Sequence, residues 1–117
     1  MNFTGRDAEQ LACHYLRGRG MRLVAHNFRC RRGEIDLVMW DAACLVFVEV
    51  RYRRNDRYGS GAESIDRHKR GRIVACARAY LQRHPALSDR PARFDVVSVS
   101  LRGEERQIEW IPDAFTV

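Results

Sequence analysis

Apolar positions along the chain repeat at two different periods. Ala8, Leu11, Ala12, Tyr15 and Leu16 recur at helical spacing and mark one face of a first helix. Thr4 stands where it can cap that helix, with Asp7 three residues on as the reciprocal acid of a capping box. Gly18 and Gly20 end it. The pattern then changes to that of strands, and residues 21–28, 34–40 and 45–53 read as three in succession. The basic turn Arg29-Cys30-Arg31-Arg32-Gly33 separates the first two, and Asp41-Ala42-Ala43-Cys44 joins the second to the third. Asn55, Asp56, Gly59, Ser60 and Gly61 mark residues 54–61 as a mobile loop. Ser64 is placed to cap a second helix reaching to about Arg83, with Ile65, Ile73, Cys76, Ala77, Tyr80 and Leu81 toward the core. Pro85 and Pro91 bracket a linker, residues 94–101 form a fourth strand, and 108–111 a short last one. The order α-β-β-β-α-β-β predicts an α/β fold, a mixed sheet of about five strands with helices packed on it.

A chain of 117 residues makes one domain, 1–117, large enough for a single core. A formal net charge of +6 favours a polyanionic partner, nucleic acid before an acidic membrane face. Lys69 is the sole lysine among 21 Lys and Arg residues, which singles out that position. Cys13, Cys30, Cys44 and Cys76 include no C-x-x-C pair, so neither a structural zinc site nor a disulfide framework is expected. Four reduced thiols in a cytoplasmic protein are expected instead. Arg6, Asp7 and Glu9 stand where a signal peptide needs an apolar run, and no segment is long enough to cross a membrane.

The second and third strands carry the chemistry. A slip of one residue in a hairpin exchanges the faces of every side chain. A three-residue turn at 41–43 would pair Trp40 with Cys44 and put Glu49 on one face with Ile35 and Leu37. A four-residue connection through Cys44 pairs Trp40 with Leu45, Val38 with Phe47, Asp36 with Glu49 and Glu34 with Arg51. It leaves Ile35, Leu37, Met39, Val46, Val48 and Val50 as a wholly apolar face, and is the register expected. Two opposed acids repel unless a cation or a shared proton lies between them. Asp36 and Glu49 are therefore candidate ligands of a divalent metal, Mg²⁺ for an all-oxygen donor set, with the Val50 backbone carbonyl as a third. In a basic chain this points to phosphodiester chemistry on nucleic acid. On the residues alone a plainer alternative, a half-exposed face of ion pairs among Glu34, Glu49, Arg51 and Arg53, has the stronger claim. Glu9 lies about 20° from Leu16 around the first helix, at the edge of its apolar stripe, where its carboxylate can reach past the helix. An ordinary solvated acid is the alternative there too.

Asp36 followed by Glu49-Val50-Arg51 resembles the PD-(D/E)xK nuclease core, in which an acid on one strand precedes acid-x-Lys on the next. Together with Gly5-x-x-Ala8-Glu9, Asn27-Phe28-Arg29, Gly33-Glu34-Ile35-Asp36-Leu37, Phe47-Val48-Glu49-Val50-Arg51, Lys69 and Arg93-Phe94-Asp95-Val96-Val97, it resembles the YraN-like family of uncharacterised bacterial proteins nearly end to end. That family is regarded as a predicted endonuclease group distantly similar to archaeal Holliday-junction resolvases. The resemblance implies a restriction-endonuclease-like fold and a Mg²⁺- or Mn²⁺-dependent endonuclease. It implies Asp36 and Glu49 as metal-binding acids, and Glu9 as the helix acid that related resolvases add. Arg51 stands where the pattern has lysine: a guanidinium can steady developing phosphate charge but cannot serve as a general base. Lys69, where this family also carries a lysine, is placed to supply the displaced ammonium, a solvated helix residue being the alternative. The expected catalytic set is thus Asp36, Glu49, Arg51 and Lys69, and the expected metal set Glu9, Asp36, Glu49 and Val50. Arg29, Arg31, Arg32, Arg53, Arg54, Arg57 and Arg67 surround the carboxylates in sequence and are the phosphate-contact candidates; a solvated charge run is the alternative. Asp95 is read as a structural partner, and the four histidines as surface or satisfied polar residues. Branched DNA is the substrate the resemblance suggests, which would bring a symmetric homodimer. The competing expectation is a nucleic-acid-binding or protein-interaction module that keeps the fold without turnover, as Arg51 would favour.

Overall fold

The structure is a computed structural model that describes residues 2–53 and 65–116. Helix α1 (Gly5–Gly18) leads into β1 (Arg22–Cys30), β2 (Gly33–Asp41) and β3 (Cys44–Arg53). Helix α2 (Arg67–Arg83) follows, then a single 3₁₀ turn (Pro85–Leu87), β4 (Ala92–Arg102) and β5 (Glu105–Phe115). The five strands form one mixed sheet in chain order, flanked by the two helices, as the sequence pattern implied. Neighbours run antiparallel except β3 and β4, which are parallel. A parallel pair cannot be closed by a tight turn, and α2 lies in the crossover that joins them. No described helix is long and apolar enough to cross a membrane.

Helix α1 starts with the capping box read from the sequence: Thr4 accepts from the Asp7 N–H while the Asp7 carboxylate takes the Thr4 N–H. Its buried residues Ala8, Ala12 and Leu16 lie on Leu37, Met39, Val46, Val48, Val97 and Val99. Small side chains at 8 and 12 let the helix settle close to the sheet. Helix α2 packs Ile73, Cys76, Ala77 and Tyr80 on the opposite side, against Ile35, Val38, Leu45, Phe47, Phe94 and Val96. Both faces of the sheet are therefore core. This corrects the expectation of one apolar and one charged face: the charge is confined to one end of β2 and β3, not spread along a side.

The hairpin register is the expected one, with Trp40 opposite Leu45 and Val38 opposite Phe47. Asp41 and Cys44 also pair, so the turn proper is Ala42-Ala43. Ala42 holds φ 53°, a left-handed conformation that costs an L residue about 1–2 kcal/mol. Ala42→Gly is expected to raise stability by about 0.5–1 kcal/mol, the gain being trimmed by the freer unfolded chain. A higher urea midpoint at unchanged slope would show it, and an unchanged midpoint would refute it.

Three further expectations change. Ser64 lies outside the described residues, and α2 is capped by Asp66, whose carboxylate accepts from the Lys69 N–H at 2.8 Å. The last strand is longer than 108–111, because an edge strand needs few apolar residues and accommodates Pro112 at a shift in register between Val96↔Ile111 and Phe94↔Phe115. The cysteines are not four free thiols: Cys30 and Cys76 form a disulfide, leaving Cys13 and Cys44 free. Their sequence separation of 46 hid the pair, since only the packing of α2 on β1 brings them together.

Candidate functional site

The site begins at an interruption in two neighbouring strands. In β1, His26 pairs with Leu37 and Phe28 with Ile35, while Asn27 between them turns to φ 52°. Asparagine is among the few residues that tolerate this region. Opposite it in β2 lies Asp36, and the alternation of faces breaks there. Leu37 belongs to the core under α1, whereas Ile35, two residues away, belongs to the core under α2. The ladder between β2 and β3 ends its regular pairing at Leu37↔Val48. Beyond it the Val50 N–H is taken by the Asp36 carboxylate, at 2.7 Å. The strands part, and a side chain fills the gap.

Four acids from three elements meet at this parting. Glu9 of α1, Glu34 and Asp36 each offer a carboxylate oxygen within 4.8 Å of the others. The Asn27 amide donates to Glu9 at 2.8 Å and to Glu34 at 2.7 Å, tying α1 to the sheet. Glu49 of β3 is buried, 6% exposed, and is paired with the Lys69 ammonium at 3.0 Å. Asp36, Glu49 and Lys69 line one cleft of about 420 Å³, with Glu34, His68 and Arg72 at its walls. A cluster of this kind resists ionisation. Burial, then the charge of Glu49, raise the Asp36 pKa to about 8, against the help of the Val50 N–H. Burial also raises Glu49, opposed by Lys69 and Arg51.

The residues singled out from sequence divide accordingly. Asp36, Glu49 and Lys69 are brought together in the cleft, and Glu9 joins Asp36 through the carboxylate cluster with Glu34. The Val50 carbonyl shares the strand edge on which its N–H meets Asp36. Arg51 is half-buried and lowers the Glu49 pKa through its charge, but Lys69 holds the contact. Glu34 does not meet Arg51 as expected: it turns to Glu9 and Asn27, with Arg29 at 3.9 Å. Arg29, Arg31 and Arg32 are exposed before Gly33 on the cleft wall, Arg67 is exposed just before His68, and Arg53 is half-buried at the end of β3. Arg54 and Arg57 lie outside the described residues. Asp95 is structural, as read: it is fully buried and bound by Arg93, Trp110 and the Asp113 N–H. Sequence reasoning missed Asn27 and Glu34 as members of the cluster. The available signal was an asparagine in the middle of a strand, which needs a reason.

Comparison with known proteins bears on the same residues. The profile of the uncharacterised protein family UPF0102 matches residues 8–99. The chain belongs to the UPF0102 family. A UPF0102 protein of Nitrosococcus oceani is 50% identical over 113 residues, covering 97% of this chain and 91% of its own length. One from Xanthomonas oryzae pv. oryzae is 51% identical, covering 95% and 89% respectively. One from Alcanivorax borkumensis is 44% identical, covering 96% and 90%. The UPF0102 match runs from α1 into β4 and so includes Glu9, Asn27, Glu34, Asp36, Glu49 and Lys69, while β5 falls beyond it.

Proposed function

We propose that this protein is a metal-dependent nuclease that hydrolyses phosphodiester bonds in DNA, with branched or structured DNA as the favoured substrate class. The observation that carries the reading is the place of Asp36 where β2 and β3 part: it shares one carboxylate cluster with Glu9 and Glu34, and one cleft with Glu49 and Lys69. Asp36 is held against its own ionisation by burial first and by neighbouring acids second, a frustration that a divalent cation relieves. The donor set is all hard oxygen, which suits Mg²⁺ or Mn²⁺. Asp36, Glu49 and Glu9 would hold the cation, with the Val50 carbonyl on the same edge. When bound, it polarises the scissile phosphate and lowers the pKa of an attacking water. Lys69 stands beside Glu49 and can neutralise charge building on the phosphate, with Arg51 as second cation. The exposed arginines of the β1–β2 turn and Arg67 flank the cleft and can steer a polyanion into it. A symmetric dimer in the cytoplasm fits a junction substrate, since two sites would cut two strands.

The test is a cleavage assay on junction, flap, single-stranded and duplex DNA with Mg²⁺ and with Mn²⁺, against an Asp36→Asn control. Cleavage of any substrate that vanishes in Asp36→Asn supports the proposal. Salt-dependent binding without cleavage in either metal favours the module without turnover, the reading that Arg51 in the lysine position would support. Lys69→Ala and Arg51→Ala then assign the cation, because only the one acting on the transition state lowers kcat while sparing DNA affinity. For binding, log affinity should fall against log salt with a slope near −0.9 for each phosphate neutralised. Replacing Arg31 and Arg32 by Ala should flatten that slope by about 1 to 2. An unchanged slope would move the DNA-binding surface away from the β1–β2 turn.

A further inference from the structure

Cys30 is the only one of the four cysteines with arginine on both sides, Arg29 and Arg31. It ends β1, is half-buried, and its sulfur accepts from the Arg32 N–H at 3.4 Å. An N–H aimed at the sulfur favours the thiolate, the reactive form. Its partner Cys76 is fully buried in the core under α2, out of reach of any solute. Cys13 and Cys44 are also half-buried but have uncharged or apolar immediate neighbours in the chain. The pair joins the two walls of the candidate cleft. Gly33, on one wall, presents its α-carbon so closely to α2 that a Cβ there would lie 3.6 Å from the Arg72 Cβ and 3.9 Å from the Cys76 sulfur. Lys69 lies two helical turns from Cys76 on α2.

We propose that Cys30 is an oxidant-reactive thiol with Cys76 as its resolving partner, a modification site that locks α2 to the β1–β2 turn. With a hydroperoxide as oxidant, the Cys30 thiolate attacks one peroxide oxygen. The O–O bond breaks, and the departing hydroxide takes a proton to become water. Cys76 then attacks the resulting sulfenic sulfur, the S–O bond breaks, and a second water leaves as the disulfide forms. Overall, two thiols and one H₂O₂ give one disulfide and two waters. A small dithiol returns two electrons and two protons to restore the thiols.

The test uses the full chain and does not depend on nuclease activity. Reduced Cys76→Ala is treated with hydrogen peroxide in the presence of dimedone, which traps sulfenic acids. Peptide mass spectrometry should find the adduct forming at Cys30 about tenfold or more faster than at Cys13 or Cys44. Reduced wild type under the same peroxide should yield the Cys30–Cys76 cross-link, which dithiothreitol reverses. Oxidation should also slow amide exchange in the first two turns of α2. Should Cys76→Ala fail to fold, iodoacetamide labelling of reduced wild type tests the same ranking, with Cys30 expected first. Cys13 or Cys44 reacting ahead of Cys30 overturns the proposal, as does a wild type that stays dithiol while its other thiols oxidise.

Discussion

Glu49→Gln is expected to abolish Mg²⁺-dependent cleavage, a loss of about 10³-fold or more, while DNA binding persists or tightens. The side chain keeps its shape, its contact with Lys69 falls from an ion pair to a hydrogen bond from the ammonium to an amide oxygen, and the anionic ligand is gone. Stability should move the other way. Glu49 is raised because burial outweighs its pairing with Lys69, so the charged form is the costly one in the folded protein. Removing that charge also eases Asp36. The sign of the pH dependence follows from linkage. Asp36 titrates near 3.8 unfolded and at about 8 folded. Across that window the folded state holds a proton that the unfolded chain has released, so metal-free stability falls as pH rises from 3.8 to about 8. Asp36→Asn should flatten this slope because an amide does not titrate, and its oxygen can still accept from the Val50 N–H to keep the local structure. Metal must displace the same proton, so Mg²⁺ affinity should climb with pH by up to about tenfold per unit, and level off above about 8. Calorimetric titration at several pH values checks both halves. Equal Mg²⁺ affinity in wild type and Glu49→Gln would remove Glu49 from the ligand set.

Asp95→Ala is expected to cost about 3–5 kcal/mol of stability without touching the cleft. Asp95 is 0% exposed and answers four donors: Arg93 Nε at 2.9 Å and a second guanidinium nitrogen at 3.2 Å, Trp110 Nε1 at 3.0 Å, and the Asp113 N–H at 2.9 Å. It sits where β4 and β5 shift register, beside Asp113 at φ 51°, and its carboxylate replaces the ladder partner that the shift removes. Alanine would strand two N–H donors and leave Arg93 with Asp41 alone, at 2.8 Å. Urea unfolding reads the loss. A change below about 1 kcal/mol would mean that water or repacking of β5 satisfies those groups instead.

Local patterns settled much of this molecule. Thr4 and Asp7 set the start of α1, and its Ala8, Ala12 and Leu16 stripe chose the face that meets the sheet. The alternation from Trp40 to Leu45 determined the hairpin register, because a slip would have buried charge, and the register in turn sent Asp36 and Glu49 to one end of the hairpin. Lys69 stood out from composition alone. The remainder depends on contacts between residues far apart in the chain, which no local period records. The Asn27 turn and the break at Asp36 arise only when β1 lies beside β2, and they bring Glu34 round to Glu9 of α1 rather than to Arg51. The ion pair of Lys69 with Glu49 needs α2 laid over β1 and β2 by the parallel crossover, with its first turn reaching the end of β3, and the same packing joins Cys30 to Cys76. Sequence by itself determined which groups can ionise and toward which end of each element they lie. Only the tertiary structure decided which of those charges face one another, because burial and distance set the energies of such pairs, and neither exists before the sheet closes between its helices.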